Sequence, residues 1–436
     1  MIVSTGLACT VLLGGFILLV LLRVPVAFAL GLATIPIVVM DLRLTPFIVL
    51  DRMFQSYNSF ILLAVPFFLL AANLMNSGQI TDKLIKFAQV LTGWMPGGLG
   101  HVNVAVSMLF AGISGSSTAD AAGCGKILIP AMVKEGYDSR FAVAITACSS
   151  VMGVIIPPSI LMIVWGGVMQ TSVGALFLAG AVPGLLIGGA LMATVYGYAK
   201  VYSYPIIGVP TMCDVWKAFK GAALALLTPV FVVGGIVWGI VTPTESAIIA
   251  AGYSLILGMF IYRTVSFKDL GDILYDTGRF ASISLFAIGT ASAFGWLLAF
   301  FNVPRLIVDF MVGLEFGPIG TAMVIASLFL IFGLFIDAIP TIIILGTVLM
   351  PVAAAADIHP VVFAIIGIIS LAFGLVTPPY GLCLLISAAI GGHNVVQVMR
   401  DVAIILAPML LILILIILAP EIALWLPKTL MPATFK

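Results

Sequence analysis

The chain has 436 residues, of which 63% are hydrophobic and 8% charged, and its formal net charge is +1. A soluble domain carries about a quarter charged residues, so a mean hydropathy of +1.30 marks a helical integral membrane protein surrounded by membrane lipid. The near-zero net charge offers no electrostatic footprint for nucleic acid.

A crossing helix needs about 20 apolar residues, so this length allows about ten to twelve spans. The first apolar run, 6–22, has Arg23 after it and no basic residue before it. A cleaved leader carries its positive charge first, so the run is expected to be the first span, with its basic end inside. Further spans are expected near 26–40 and 58–76. A short amphipathic piece at 83–94, carrying Lys83 and Lys86, suits the membrane interface. Two short limbs, 97–112 and 119–133, then flank a polar tip. A broken span covers 140–168 and another span 172–198. The polar connection 200–220 divides the chain. Spans follow near 222–240, 244–263 and 280–301, with a second amphipathic piece at 304–315. Limbs at 319–336 and 340–353, a broken span at 360–391 and a last span at 402–425 complete the order. The limbs are closely spaced and their tips polar, which suits re-entrant hairpins better than paired full spans.

The breaks carry most of the information. Gly153-Val-Ile-Ile-Pro-Pro-Ser159 puts two prolines inside a hydrophobic segment. Each removes a backbone donor and clashes with the preceding turn. In a bilayer such breaks persist only where they are buried in protein or line a wet cavity. A second copy reads Gly374-Leu-Val-Thr-Pro-Pro-Tyr380. Gly112 matches Gly333, Gly125 matches Gly346, Pro130 matches Pro351, Gly153 matches Gly374, and Pro157 and Pro158 match Pro378 and Pro379. Every pair is separated by 221 positions. Five spans and one hairpin separate the copies, so the second is expected to be inverted, as in secondary transporters. Loop charge agrees. Lys134-Glu-Gly-Tyr-Asp-Ser-Arg140 carries Lys134 and Arg140, whereas its equivalent at 355–361 has no Lys or Arg. The first loop is therefore placed in the cytoplasm and the second outside. Arg43 and Arg52 fall outside, offset by Asp41 and Asp51.

The first tip holds Ser114, Ser116, Ser117, Thr118 and Asp120. A tip hydroxyl facing carbonyls freed by the Pro157-Pro158 break makes a sodium site. The same residues also suit close helix packing. In the second copy Gly333, Gly374 and Thr377 occupy the corresponding places, so two related cation sites follow. Asp120 and Asp337 lie near the tips. Intramembrane carboxylates point to function, but Asp120 also suits a structural pair with Lys126, and Asp337 a helix N-cap. Helix N-termini starting at the tips suit an anionic substrate group. Thr242 or Thr244 is expected to cap the helix that Glu245 begins, and Asn73 to act as a packing amide. The five cysteines have no paired metal spacing and the three histidines are scattered. No phosphate-binding Gly-rich loop or nucleophile constellation appears, so neither ATP hydrolysis nor enzymatic chemistry is expected.

Several segments together resemble one family. They are Val65-Pro-Phe-Phe-Leu-Leu-Ala-Ala-Asn73, Ala111-Gly-Ile-Ser-Gly-Ser-Ser-Thr-Ala-Asp120, 153–159, Gly234-Gly-Ile-Val-Trp-Gly-Ile-Val-Thr-Pro-Thr-Glu245 and Gly374-Leu-Val-Thr-Pro-Pro-Tyr-Gly381. The chain is similar over nearly its whole length to the large membrane subunit of TRAP (tripartite ATP-independent periplasmic) transporters. The resemblance implies an all-α, inverted-repeat, elevator-type transporter of the ion-transporter superfamily, with two re-entrant hairpins and two broken helices. It implies a sodium-driven importer in the bacterial inner membrane. Its expected partners are a small four-span membrane subunit and a periplasmic substrate-binding protein delivering an organic acid. Because the chain starts at its first span, the small subunit is expected as a separate chain.

The implied organisation has scaffold spans at 1–82, a transport-domain hairpin and broken helix at 83–198 and a cytoplasmic connection at 199–221. A second scaffold set spans 222–303, and the second hairpin, broken helix and last span fill 304–436. The family's first sodium site maps onto Ser114, Gly153, Ile156 and Pro157, and its second onto Gly333, Gly374, Thr377 and Tyr380. Ser116, Thr118, Asp337 and Ser159 are the substrate-contact candidates. The likeness is closest to the sialic-acid (N-acetylneuraminate) branch, with C4-dicarboxylates the competing substrates and a stand-alone sodium–carboxylate symporter the competing architecture. No single residue carries that choice. A channel would be expected to form oligomeric rings without two ion-site copies.

Overall fold

A computed structural model describes residues 3–45, 47–77, 80–379 and 381–435. Among these residues the secondary structure is helical throughout. Seven helices are long and apolar enough to cross a membrane, and eight shorter apolar helices accompany them. Many of the shorter ones are hairpin limbs and halves of the broken spans, so the expected ten to twelve spans divide into long and short pieces.

The first repeat begins with Thr5–Leu21, Val26–Met40 and Phe60–Ser77, followed by the amphipathic Ile80–Thr92. The first hairpin is Gly98–Ser114 and Ser117–Lys134. The first broken helix is Ser139–Val154 and Ile160–Met169, and Val173–Tyr202 closes the repeat. The second repeat follows as Met212–Val237, Pro243–Ile261, Phe267–Phe300 and Val303–Gly313. Its hairpin is Gly317–Gly333 and Ala338–Ala355, and its broken helix is Pro360–Gly374 and Leu382–Gly391. The 221-position register places Ser117 on Ala338 and Ser139 on Pro360, so both hairpins and both broken helices start their limbs in step.

Three boundaries differ from expectation, each for a local reason. The connection 200–220 is shorter, because Thr211 opens a helix within it. The Thr211 hydroxyl accepts from the Asp214 N–H while the Asp214 carboxylate accepts from the Thr211 N–H, the reciprocal box that fixes a helix start. The span expected at 280–301 begins at Phe267, where Ser266 and Asp269 make the same box. The span expected at 402–425 ends at Leu418. Pro420 stops it, and a separate helix, Glu421–Leu430, follows. A further helix, Ile48–Tyr57, was not expected; in the 221 register it matches the polar start of Phe267–Phe300.

Other local readings hold. Thr242 caps Pro243–Ile256 with Glu245 as its box partner. Asn73 donates to Thr277 Oγ1 at 2.9 Å, joining the two repeats. Arg43 pairs with Asp41 at 2.7 Å, whereas Arg52 donates to Gln55 rather than pairing with Asp51 and lies 4.3 Å over the Trp296 ring.

Packing follows the repeat. Val26–Met40 lies along Phe267–Phe300, while its counterpart Pro243–Ile256 lies along Ala64–Ser77. The second halves of the broken helices are also exchanged. Ile160–Met169 packs on the second hairpin, and Leu382–Gly391 packs on the first. Gly125 shows this at atomic scale, because a Cβ there would meet Ile390 at 3.2 Å. Its equivalent Gly346 faces Met169, the equivalent of Ile390. Each repeat therefore completes the other's core.

Candidate functional site

The first tip is enclosed by protein. Ser114 and Ser159 are 0% exposed, and Gly115 turns the chain at φ +62°. Ser116 caps Ser117–Lys134 by accepting from the Ala119 N–H, and its hydroxyl lies 3.1 Å from that of Thr118. A buried tip agrees with a re-entrant hairpin rather than an aqueous loop.

The first break touches this tip backbone to backbone. The Ile160 N–H donates to the Gly115 carbonyl at 3.2 Å, and the Ser117 hydroxyl donates to the Val151 carbonyl at 3.3 Å. A Cβ on Gly153 would lie 2.9 Å from the Ser116 carbonyl carbon and oxygen, and one on Gly115 would lie 2.9 Å from the Pro158 carbonyl oxygen. Only glycine permits this approach. Pro157 and Pro158 have no N–H to give to the carbonyls of Gly153 and Val154 one helical turn earlier. The Ser159 hydroxyl donates to the Val154 carbonyl at 2.7 Å and accepts from the Met162 N–H. It is therefore the cap of Ile160–Met169.

The second copy repeats the contact with different chemistry. A Cβ on Gly374 would lie 2.8 Å from the Gly333 carbonyl oxygen. Thr377 donates its hydroxyl to the Phe373 carbonyl at 2.7 Å, which leaves its oxygen free to accept or coordinate. Asp337 sits at the N-cap of Ala338–Ala355 and is exposed; its carbonyl accepts from the Thr341 hydroxyl at 2.9 Å. Tyr380 lies outside the described residues. A hollow of about 490 Å³ opens beside the second break, lined by Thr377, Pro378, Pro379, Met399, Val402, Ala403 and Leu406.

In the 221 register, Ser114 corresponds to Phe335 and Ile156 to Thr377. The first copy thus takes its hydroxyl from the tip, and the second from the break. Each copy also brings together two helix C-terminal ends, Ser114 with Val154 and Gly333 with Gly374. Those ends carry partial negative charge and favour a cation, while the N-termini at Ser117, Ile160, Ala338 and Leu382 favour an anion. The structure brings Ser114, Ser116, Gly153 and Ser159 into one contact, and Gly333, Gly374 and Thr377 into another.

The expected Asp120–Lys126 pair does not form. Six residues apart on a helix is about 120° around its axis, and Lys126 is exposed while Asp120 is buried. Among the described residues neither Asp120 oxygen has a hydrogen-bond partner of standard geometry. A polar group unforeseen from sequence lies beside it. Asn103, Ser107, Thr146 and Ser149 are all buried and mutually hydrogen-bonded. Their spacing of four on one helix and three on the other puts each pair on one face, a signal readable in retrospect.

The family model for the DctM component of the tripartite ATP-independent periplasmic transporter matches residues 13–422. The chain belongs to this family. It is similar to the sialic acid TRAP transporter large permease protein SiaM of Vibrio cholerae, with 37% identity over 87% of this chain and 88% of that one. It is also similar to the C4-dicarboxylate TRAP transporter large permease protein DctM of the same species, with 33% identity over 95% and 96%. In shape it resembles the YdaH transporter of Alcanivorax borkumensis, with a TM-score of 0.62 over 87% of this chain and 88% of that one. At 12% identity that likeness speaks for the fold alone. As a DctM-family large permease, this multi-pass protein is a transporter subunit and not an enzyme.

Proposed function

We propose that the chain is the transport-competent subunit of a sodium-driven importer that takes up an organic acid, sialic acid (N-acetylneuraminate) first, across the bacterial inner membrane. A small four-span membrane subunit and a periplasmic substrate-binding protein complete the assembly. One observation carries the reading. A hairpin tip meets a Pro-Pro break through glycine, twice in one register, and each contact offers a hydroxyl beside two helix C-termini.

In this reading one sodium ion binds at Ser114, Gly153, Ile156 and Pro157, and a second at Gly333, Gly374 and Thr377, with Tyr380 assigned by the resemblance. Carbonyls and hydroxyls are the hard oxygen ligands such an ion takes. The substrate carboxylate is held by Ser116, Thr118 and the helix N-termini, with Asp337 and Ser159 bordering the site. The hairpins and broken helices, 83–198 and 304–436, form the moving body of an elevator. The spans of 1–82 and 222–303 form its scaffold, joined by the connection 199–221. The exchanged packing of the broken helices supports a single moving unit.

A C4-dicarboxylate is the second substrate reading, motivated by the 33% identity with DctM. Uptake into proteoliposomes containing the full assembly tests both. Labelled sialic acid and succinate are offered with and without an inward sodium gradient. Sialic acid uptake that needs sodium and the binding protein supports the first reading. Succinate uptake alone replaces it, and uptake indifferent to sodium contradicts the coupling.

A further inference from the structure

Asp120 stands in the first turn of Ser117–Lys134 with 0% of its surface exposed. Among the described residues no ion pair reaches it and neither oxygen has a partner of standard geometry. Ser107 and Cys124 are the side chains facing its carboxyl. Behind Ser107 runs a directed chain of donors. The Ser107 hydroxyl donates to Ser149 Oγ at 3.0 Å, and the Ser149 hydroxyl shares its proton between Asn103 Oδ1 at 3.0 Å and the Thr146 carbonyl at 3.2 Å. Asn103 Nδ2 donates to Thr146 Oγ1 at 2.6 Å, and the Thr146 hydroxyl donates to the Ala142 carbonyl at 2.7 Å. Every link points away from Asp120. The Ser107 oxygen is left as an acceptor, and what it lacks is a donor on the Asp120 side. A carboxylate has none to give, whereas a carboxylic acid has one.

We propose that Asp120 is a proton-binding site, held as a neutral carboxylic acid that heads the buried chain Ser107, Ser149, Asn103 and Thr146. An ionised carboxylate with no partner is among the most costly groups to bury, and two routes neutralise it. A sodium ion needs several oxygen ligands, and of the two side chains facing the carboxyl Ser107 alone offers an oxygen. The titratable neighbours are Cys124 on the same helix, Cys383 on Leu382–Gly391, Cys148 beyond Cys383 on the first broken helix, and Asp337, which faces Cys383 from the second tip. Lys126 of the same helix faces outward. Thiols are soft, poor sodium ligands, and none of these groups is a cation. The proton is the occupant that fits.

The site is peculiar to the first repeat. Asn103, Ser107, Asp120 and Thr146 correspond to Val324, Leu328, Thr341 and Gly367, and of the five residues Ser149 alone keeps its identity, as Ser370. It therefore stands apart from the paired tip–break contacts, and its test does not depend on sodium coupling.

Infrared spectroscopy of the purified full-length protein in lipid nanodiscs reads the protonated carboxyl C=O stretch directly. Spectra are taken between about pH 5 and pH 8, a range above the ordinary carboxylate value of about 4. The native protein is expected to show a protonated-acid band at the acid end of this range, absent in Asp120→Asn and retained in Asp337→Asn. Ser107→Ala keeps the carboxyl but removes its acceptor, so the band is expected to move to higher wavenumber. This arm stands even if Asp120→Asn fails to fold. Native and Asp120→Asn spectra that coincide, or a Ser107→Ala band that stays in place, overturn the proposal. Loss of the band when sodium replaces choline also overturns it, in favour of a third cation site.

Discussion

Gly153 and Ser116 stand so close that a β-carbon on the glycine would lie 2.9 Å from the serine carbonyl oxygen. The obstacle is backbone and cannot swing aside, so a methyl group must push the break away from the tip. Gly153→Ala is expected to destabilise the protein by about 1–3 kcal/mol, the usual cost of overpacking a core. Gly374→Ala, 2.8 Å from the Gly333 carbonyl oxygen, is expected to behave alike. Melting temperatures in detergent check both, and native-like values in both variants would mean that the contacts are loose.

The two proposed cation sites draw their hydroxyls from different elements, so they have separate tests. Ser114→Ala and Thr377→Ala are each expected to raise the sodium concentration for half-maximal uptake roughly tenfold, about the worth of one bond to a charged group. Thr377 also donates to the Phe373 carbonyl. Thr377→Ser keeps that bond and the ligand oxygen, and is expected to restore sodium dependence. Failure of the serine variant would assign Thr377 a packing role instead.

The exchanged halves of the broken helices predict paired behaviour. Gly125 faces Ile390, and Gly346 faces Met169, at equivalent positions of the two repeats. Cysteines placed at 125 with 390, and at 346 with 169, in a background without the native cysteines, are expected to be bridged by a short bifunctional thiol reagent in both pairs. Mobility shifts on gels report each bridge. Cross-linking at one pair alone would contradict the shared architecture.

The Asp41–Arg43 ion pair gives a pH dependence of defined sign. The Arg43 guanidinium hydrogen-bonded to Asp41 holds its carboxyl well below the usual carboxylate range, and the Val3 N–H, 3.0 Å away, acts in the same direction. A carboxyl depressed in the folded state contributes stability above its unfolded value and loses it as pH falls through the folded one. The anchoring of Val3 is therefore expected to weaken only below about pH 4. Asp41→Asn is expected to flatten thermal stability across that window. A native-like acid profile in the variant would exclude the ion pair as its cause.

The sequence carried the framework because glycine and proline mark backbone geometry. Gly153, Pro157 and their partners 221 positions on fixed the breaks, and Thr242 with Glu245 fixed a helix start. Ile48–Tyr57 escaped notice because its counterpart is fused into Phe267–Phe300, where no cap separates it. The start at Met212 falls inside the polar connection 200–220, where Pro205 and Pro210 signal a loop and mask the capping box of Thr211 and Asp214. Asn103 and Ser107 are isolated polar residues in an apolar limb, and only the fold sets them against Thr146 and Ser149. Carbonyl ligands leave no side-chain trace, so within the candidate sites Ser114 and Thr377 were the legible members.

Sodium binding to the purified full-length protein, counted by equilibrium dialysis with labelled sodium, tests the central claim most directly. Two ions per chain are predicted for the native protein, with one site weakened roughly tenfold in Ser114→Ala, the other in Thr377→Ala, and both in the double variant. Unchanged sodium binding in the double variant would contradict the account.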